Sequence, residues 1–362
     1  MDINEATVAY EAWLGQYITP VEADLATKHK LMSRSPFVFL RATAYRWAQR
    51  WRHVCPDLVA APPVASVGDL HVENFGTWRD PESRLVWGVN DLDEVATLPY
   101  TNDLLRLVTS IILAAPAGRL SLVPNDAADS VLEGYAGSLG DGGRPFVLAE
   151  GHRWLSELAA GRQKPPPTFW GEIQGLPDLA TGELAPDLTR ALERALPGTG
   201  LAPRYLRRVA GVGSLGRPRV VALASWRGGC VGREAKAIIP SAWRWADGTA
   251  GEPEAHGSEM AALIDHAVRC PDPTYRPDGA WLVRRLAPDA VRIELDGPRA
   301  ADERRLVRAM GRETANLHLA SRAASDILAD LAARPKHWLS EAAQRMAKDT
   351  SADWERWRSA GR

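Results

Sequence analysis

With 362 residues, of which 45% are hydrophobic and 25% charged, the chain is long enough for two lobes with separate cores and has a globular composition. A net charge of −1 gives no global electrostatic drive toward nucleic acid or a membrane surface. Cys55, Cys230 and Cys270 are too few and too scattered for a disulfide framework or a thiolate zinc site. No stretch approaches the roughly 20 apolar residues needed to cross a bilayer.

Met1-Asp2-Ile3-Asn4-Glu5 lacks the basic and apolar regions of a signal peptide, so a cytoplasmic location is expected. A helix is expected around 11–17, followed by a basic run from Lys28 to Arg34. Ser35-Pro36 reads as an N-cap followed by proline in the first helical turn. Phe37, Leu40, Ala44, Trp47 and Trp51 then recur at helical spacing and predict one apolar face. Arg41 on that helix is expected in solvent or in an ion pair.

Val64-Ala65-Ser66-Val67 and Leu85-Val86-Trp87-Gly88-Val89 read as short strands. Each runs into acidic residues: Asp69, with Asn74 five positions on, and about twenty residues later Asn90-Asp91-Leu92-Asp93-Glu94. Either aspartate alone is equally a turn former at a strand end. Together with Asn74 they have the spacing of a phosphotransfer site, in which one carboxylate serves the acceptor hydroxyl while an amide and a second carboxylate hold Mg²⁺. A calcium loop is excluded, because Val95 and Ala96 stand where a ligand and a glycine are required.

Asp103 opens a largely buried helix over 104–113 and is expected to cap it and to brace the loop carrying Asp69. Helices are expected at 127–138, 146–160 and 183–196, with Lys164-Pro165-Pro166-Pro167 as a stiff linker. Pro197-Gly198-Thr199-Gly200 marks a break, after which the period changes. Strands are expected at 205–210, 219–225, 231–239 and 281–286, forming a small antiparallel sheet interrupted by a helix at 258–268. Helices return over 301–332 and 338–359, and no internal repeat of fixed period is present.

Gly211-Val212-Gly213-Ser214-Leu215-Gly216 matches G-x-G-x-x-G. A dinucleotide-binding turn would open a helix, but a strand-like run follows here. A Walker loop needs lysine and a hydroxyl residue after the last glycine, where Arg217-Pro218 stands. A kinase glycine loop joins two antiparallel strands, and an unspecialised Gly-rich hairpin is the alternative. Only six of the 44 basic residues are lysines, so Lys236 on an expected strand, twenty residues after Gly216, draws notice as a phosphate-binding point charge. Glu259 is the expected partner of Lys236, with Glu252 and Glu254 as rivals.

As a set, Met32–Arg41, Gly68–Gly76, Asn90–Glu94, Val209–Gly216, Glu234–Lys236 and Val283–Leu286 resemble the DUF2252 family. The resemblance spans roughly 28–325 and continues loosely to His318–Ser321. DUF2252 is a group of uncharacterised bacterial proteins similar to protein kinase-like and aminoglycoside phosphotransferase-like folds. The phosphotransferase pattern H-G-D-L-H-x-x-N is similar to Val67 through Asn74, with Val67 in place of its first histidine. The resemblance implies Asp69 as catalytic base, Asn74 and Asp91 as metal ligands and Lys236 as a phosphate contact.

The expectation is therefore an α+β, bilobal, protein kinase-like fold in permuted order. A mainly helical catalytic region occupies 1–200, a nucleotide-binding sheet 201–295, and C-terminal helices 296–362. Its function would be ATP- and Mg²⁺-dependent phosphoryl transfer to a small-molecule hydroxyl. Asp69 would act as base, Asn74, Asp91 and Asp93 would face the metal, and Gly211, Gly213, Ser214, Gly216 and Lys236 the phosphates. A nucleotide-binding module without turnover, or adenylyl transfer on the same fold, are the alternatives.

Overall fold

Asp2 begins the first helix with a capping box, accepting from the Asn4 and Glu5 amides while Glu5 reaches back to the Asp2 N–H. The computed structural model describes residues 1–115, 121–293 and 300–361. Helices α1 (Ile3–Leu14), α2 (Glu22–Met32), α3 (Pro36–Ala42) and α4 (Ala44–Val54) open the chain. Ser35 caps α3 through a hydrogen bond from the Val38 amide to its Oγ, with Pro36 in the first turn. The single helix expected over 37–51 is broken at Thr43 (φ −126°, ψ 48°), whose hydroxyl donates to the Phe39 carbonyl at 2.7 Å. Both halves still bury their apolar side chains, including Phe37, Leu40, Trp47 and Trp51.

Four short strands follow: β1 (Pro63–Ser66), β2 (Phe75–Arg79), β3 (Leu85–Val89) and β4 (Ala96–Pro99). β1 pairs antiparallel with β4, and β2 with β3. The loop from β1 to β2 and the loop from β3 to β4 therefore lie side by side, and the Asn90 amide donates to the Asn74 carbonyl at 2.9 Å. Helix α5 (Thr101–Ala114) is buried along nearly its whole length and runs beneath both loops.

Helix α6 (Pro124–Gly140) leads to β5 (Phe146–Val147), which joins β3, and then to α7 (Leu148–Gly151), α8 (Arg153–Ala160) and α9 (Pro166–Gln174). The large antiparallel sheet takes its first strand, β6 (Asp178–Leu179), ahead of the break at 197–200. After α10 (Pro186–Ala195) come β7 (Arg204–Arg207), β8 (Arg219–Trp226) and β9 (Gly229–Ala237). Then follow α11 (Ala242–Ala246), α12 (Pro253–His266), β10 (Arg276–Asp278) and β11 (Trp281–Leu286). The strand order is β10-β11-β9-β8-β7-β6. Helices α13 (Ala300–His318), α14 (Ala324–Ala333) and α15 (Trp338–Ser359) close the chain and pack around α5 and α6. The boundary expected at 295–296 lies outside the described residues. No helix among them is long and apolar enough to cross a membrane.

The fold class is α+β, and the sheet's alternation positions the site. Tyr205, Val220, Ala222, Ala235, Ala237 and Val283 form one core with Leu188, Ala191 and Leu192 of α10. On the opposite face, Leu206, Val221, Leu223 and Leu286 meet Ile173 of α9. That second face carries Arg219, Glu234, Lys236 and Arg284 where it looks toward the two acidic loops.

Candidate functional site

The Asp69 loop is held from below by α5. Asp103 accepts the Val67 amide at 2.7 Å and the Gly68 amide at 3.0 Å. It also pairs with His318 Nε2 at 3.0 Å, and His318 Nδ1 lies 2.7 Å from the Tyr135 hydroxyl. Bracing that Val67 cannot supply through its own side chain thus comes from Asp103, with a histidine brought in by α13. Gly68 sits at φ 79°, and a Cβ there would fall 2.0 Å from the Glu94 carbonyl oxygen. Only glycine lets the two acidic loops approach this closely.

Asp69 forms an ion pair with Arg106, which is fully buried on α5 and stacks 4.8 Å over the Trp47 ring. Burial raises the Asp69 carboxyl; Arg106 opposes this and Glu94 adds to it, and the balance stands at about 7. Asn74 Oδ1 accepts the His71 amide at 2.6 Å, which fixes the side chain inside its own loop and leaves the oxygen one lone pair. Burial, with Arg41, Arg106 and Arg292 nearby, holds His71 well below its usual range, so it stays neutral.

The second loop meets the sheet. Lys236 Nζ lies 3.8 Å from Asp91 Oδ1 and forms a closer ion pair with Asp93. Arg217, from the strand entry after the glycine loop, donates to Asp93 Oδ2 at 3.3 Å and Glu94 Oε1 at 2.9 Å. Burial alone would raise the Asp93 carboxyl, but Lys236 and Arg217 hold it well below the ordinary range. Glu94 Oε2 accepts the Ala242 amide at 2.6 Å, so this acid also caps α11. Asp91 is about half exposed and is the acid of this loop open to a ligand.

Glu259 is corrected as the partner of Lys236. It accepts from Arg244 Nη2 at 2.6 Å and lies 3.2 Å from His256 Nδ1. His256 Nε2 donates to the Asp93 carbonyl at 2.7 Å. Glu259 therefore reaches the acidic loop only through His256, while Lys236 points from β9 straight at Asp93.

The glycine run forms a 3-10 turn at Val212–Ser214 between antiparallel β7 and β8. Gly211, at φ 76°, Gly213 and Ser214 line a cavity with Asp69, Asn74, Asp91 and Asp93. The Ser214 hydroxyl is engaged by Arg219 Nη2 at 2.8 Å. Gly216 turns away, and a Cβ there would meet Leu25 of α2 at 2.4 Å. Asp91, Gly211 and Arg292 also line a neighbouring cavity of about 240 Å³, which Lys236 shares with Arg208, Arg219, Glu234 and Arg284.

Glu234, 1% exposed, is the hub of that second cavity. It accepts from Arg219 at 2.6 Å and Arg284 at 2.8 Å and also pairs with Arg208. Burial would raise its carboxyl; the three arginines hold it well below the usual range. Three guanidinium groups thus share one carboxylate, leaving a cationic excess facing the cavity. Arg41, expected in solvent or an ion pair, pairs with Glu73 at 2.7 Å.

Arg106, Arg217 and Glu234 are the residues that sequence reading missed. Arg106 had a signal, as the lone charged residue within the apolar run 104–113. Glu234 stands two positions from Lys236 on one strand, hence on one face. Among the described residues, no three His, Cys, Asp or Glu side chains converge as a metal cage. No curated protein and no solved structure matches the chain. Residues 20–145, a stretch that includes both acidic loops and ends before the large sheet, match the family described as an uncharacterized protein conserved in bacteria (DUF2252).

Proposed function

We propose that the protein is an ATP- and Mg²⁺-dependent phosphotransferase acting on a small-molecule hydroxyl, with the two regions of a protein kinase-like fold in reversed order. One observation carries the reading: Lys236 from β9 and Asp91 from the β3–β4 loop, 145 positions apart, stand 3.8 Å apart in a shared cavity that adjoins Asp69 and the glycine turn. Lys236, Arg208, Arg219, Arg284 and Arg292, against Asp91 and Glu234, favour a polyanion. An adjoining cavity of about 120 Å³, lined by Trp78, Leu92, Phe169, Ile264, Tyr275 and Leu286, shares Arg208, Arg284 and Tyr275 with the cationic one and suits a flat base.

Asp69, with its proton affinity poised near neutrality, receives the acceptor's proton, while Arg106 orients the carboxylate. Asp91 and Asn74 fit Mg²⁺, which takes one or two protein carboxylates together with phosphate oxygens rather than an all-protein cage. When bound, the ion neutralises phosphate charge. The remaining work is positioning and charge stabilisation by Lys236 and the glycine turn.

The test is a thermal-shift scan with nucleotides, with and without Mg²⁺, on the wild type and Asp91→Ala. A ligand that binds only the folded state raises the midpoint. The expected result is a Mg²⁺-dependent shift with ATP that Asp91→Ala abolishes without unfolding the protein; no shift with any nucleotide sinks the reading. The engagement of Asp93 and Glu94 by Lys236 and Arg217 favours, as a second reading, a nucleotide-binding module without turnover. Firm ATP binding with no product mass increase, neither about +80 daltons for phosphoryl nor about +329 for adenylyl transfer, selects it.

A further inference from the structure

We propose that Lys28, carried by α2, binds the terminal phosphoryl group of the nucleotide on the acceptor side of the cleft. The inference rests on the phosphotransferase reading above and extends it to the N-terminal helices. Lys28 is 4% exposed. Its Nζ donates to the Gly213 carbonyl at 3.2 Å and lies 5.8 Å from the centre of the Tyr45 ring. Among the described residues no carboxylate stands within ion-pairing distance of it. An ammonium group has three donors, and one is used here. A buried cation without a counter-ion is costly, and burial lowers this one to about 8, with Glu11 opposing.

Location identifies what would satisfy it. Lys28 lines the chamber of Asp69, Asn74 and Asp93, not the larger cavity of Lys236 and the Glu234 cluster. Asp91, Gly211 and Arg292 belong to both, so a phosphate chain held by Lys236 enters the Lys28 chamber at that joint. The chamber measures about 40 Å³, room for about three waters, the scale of one phosphoryl group meeting a hydroxyl. Each of its other cations has a carboxylate partner: Arg41 and Arg292 share Glu73, and Arg217 is held by Asp93 and Glu94. Lys28 has donors to spare where the transferred group must lie.

The experiment is titration calorimetry of ATP and ADP, with Mg²⁺, on the wild type and Lys28→Met. Methionine retains an unbranched stem and removes a buried charge, and a thermal melt of the unliganded variant verifies folding. The expected result is ATP affinity reduced about tenfold or more with ADP affinity changed less than about twofold, since one charge-assisted contact to the terminal phosphate is lost. The ATP-to-ADP ratio is an internal control for any general disturbance. Equal weakening of both nucleotides would make Lys28 a prop for the Gly213 turn and overturn the proposal, as would no change in either. If the wild type binds neither nucleotide, the phosphotransferase reading fails and this inference with it. If the wild type binds both and the variant keeps the ratio, the Lys28 inference alone fails.

Discussion

Replacing Asp69 by Asn tests the electrostatics of the cleft without any substrate. The carboxyl is partly buried, and burial, opposed by Arg106 and reinforced by Glu94, lifts it from 3.8 to about 7. An acid whose folded value is raised keeps a proton that the unfolded chain has already released. Wild-type stability therefore falls as pH rises between these two values and stays at the lower level above them. Asparagine carries no such pH dependence. Relative to the wild type, the variant should gain roughly 1.4 kcal/mol per pH unit across the window, about 4 kcal/mol in all. With an unfolding entropy of roughly 2.1 cal/mol/K per residue, this corresponds to about 5 °C if the chain unfolds as one unit. The assay compares thermal midpoints of both proteins at about pH 4.5, 6 and 8. The lowest of these lies inside the window, so the difference should move in favour of Asp69→Asn by about 3 kcal/mol, or roughly 4 °C, from the lowest to the highest pH. A difference that stays constant would mean that the carboxylate is ionised throughout, and the case for Asp69 as a base poised near neutrality would be lost.

Glu234→Gln should destabilise the protein by about 3–5 kcal/mol in chemical denaturation, because Arg208, Arg219 and Arg284 lose their shared counter-ion. The wild-type carboxyl is depressed, so its contribution is present above the usual glutamate range and is lost only in acid; the gap should be level from neutral pH upward and narrow on acidification. Lys236→Met should abolish the ATP-dependent thermal shift and cost about 3 kcal/mol of stability by leaving Asp93 with Arg217 alone, an outcome read from the same scans. Asp103→Asn replaces one of two accepting oxygens by a donor and should lower stability by about 1–3 kcal/mol, with faster hydrogen exchange at the Val67 and Gly68 amides.

The strands that build the cleft are legible because period-two alternation survives in them. Ala235 and Ala237 face one way and Glu234 and Lys236 the other, and this can be read without coordinates. The acidic loops are legible because both follow apolar strands. The partner of Lys236 is not legible, since sequence distance does not reveal which acid a strand residue will face. Glu259 lies on α12, the second helix after β9, but Arg244 and His256 hold it, and Asp93 is nearer. The break at Thr43 is hidden because both helix halves bury their apolar side chains. Lys28 is hidden for another reason: it begins a basic run, and nothing in Lys28-His29-Lys30 distinguishes the one lysine that turns inward. The three arginines around Glu234 come from β7–β8, β8 and β11, so only strand register brings them together.

Register also explains how the apolar face of the sheet governs the polar one. Lys236 stands opposite Arg219 on β8 and Leu282 on β11, and Glu234 stands opposite Val221 and Arg284. A slip of one residue in β9 would turn Glu234 and Lys236 into the core beneath α10 and bring Ala235 and Ala237 to the cleft. Burying two charges against Leu188 and Leu192 would cost far more than any alternative pairing could return. The small alanines of β9 fit under α10 and thereby fix where Lys236 emerges. On the other side, Glu234 finds three guanidinium groups only in this register, so the buried ion cluster penalises slippage a second time. Packing on the face turned away from the cleft thus fixes the direction in which Lys236 emerges, toward Asp91 at 3.8 Å. The order of these segments along the chain does not enter this geometry: strand register sets the sheet's side of the cleft, and the β1–β4 and β2–β3 pairings set the side of the acidic loops.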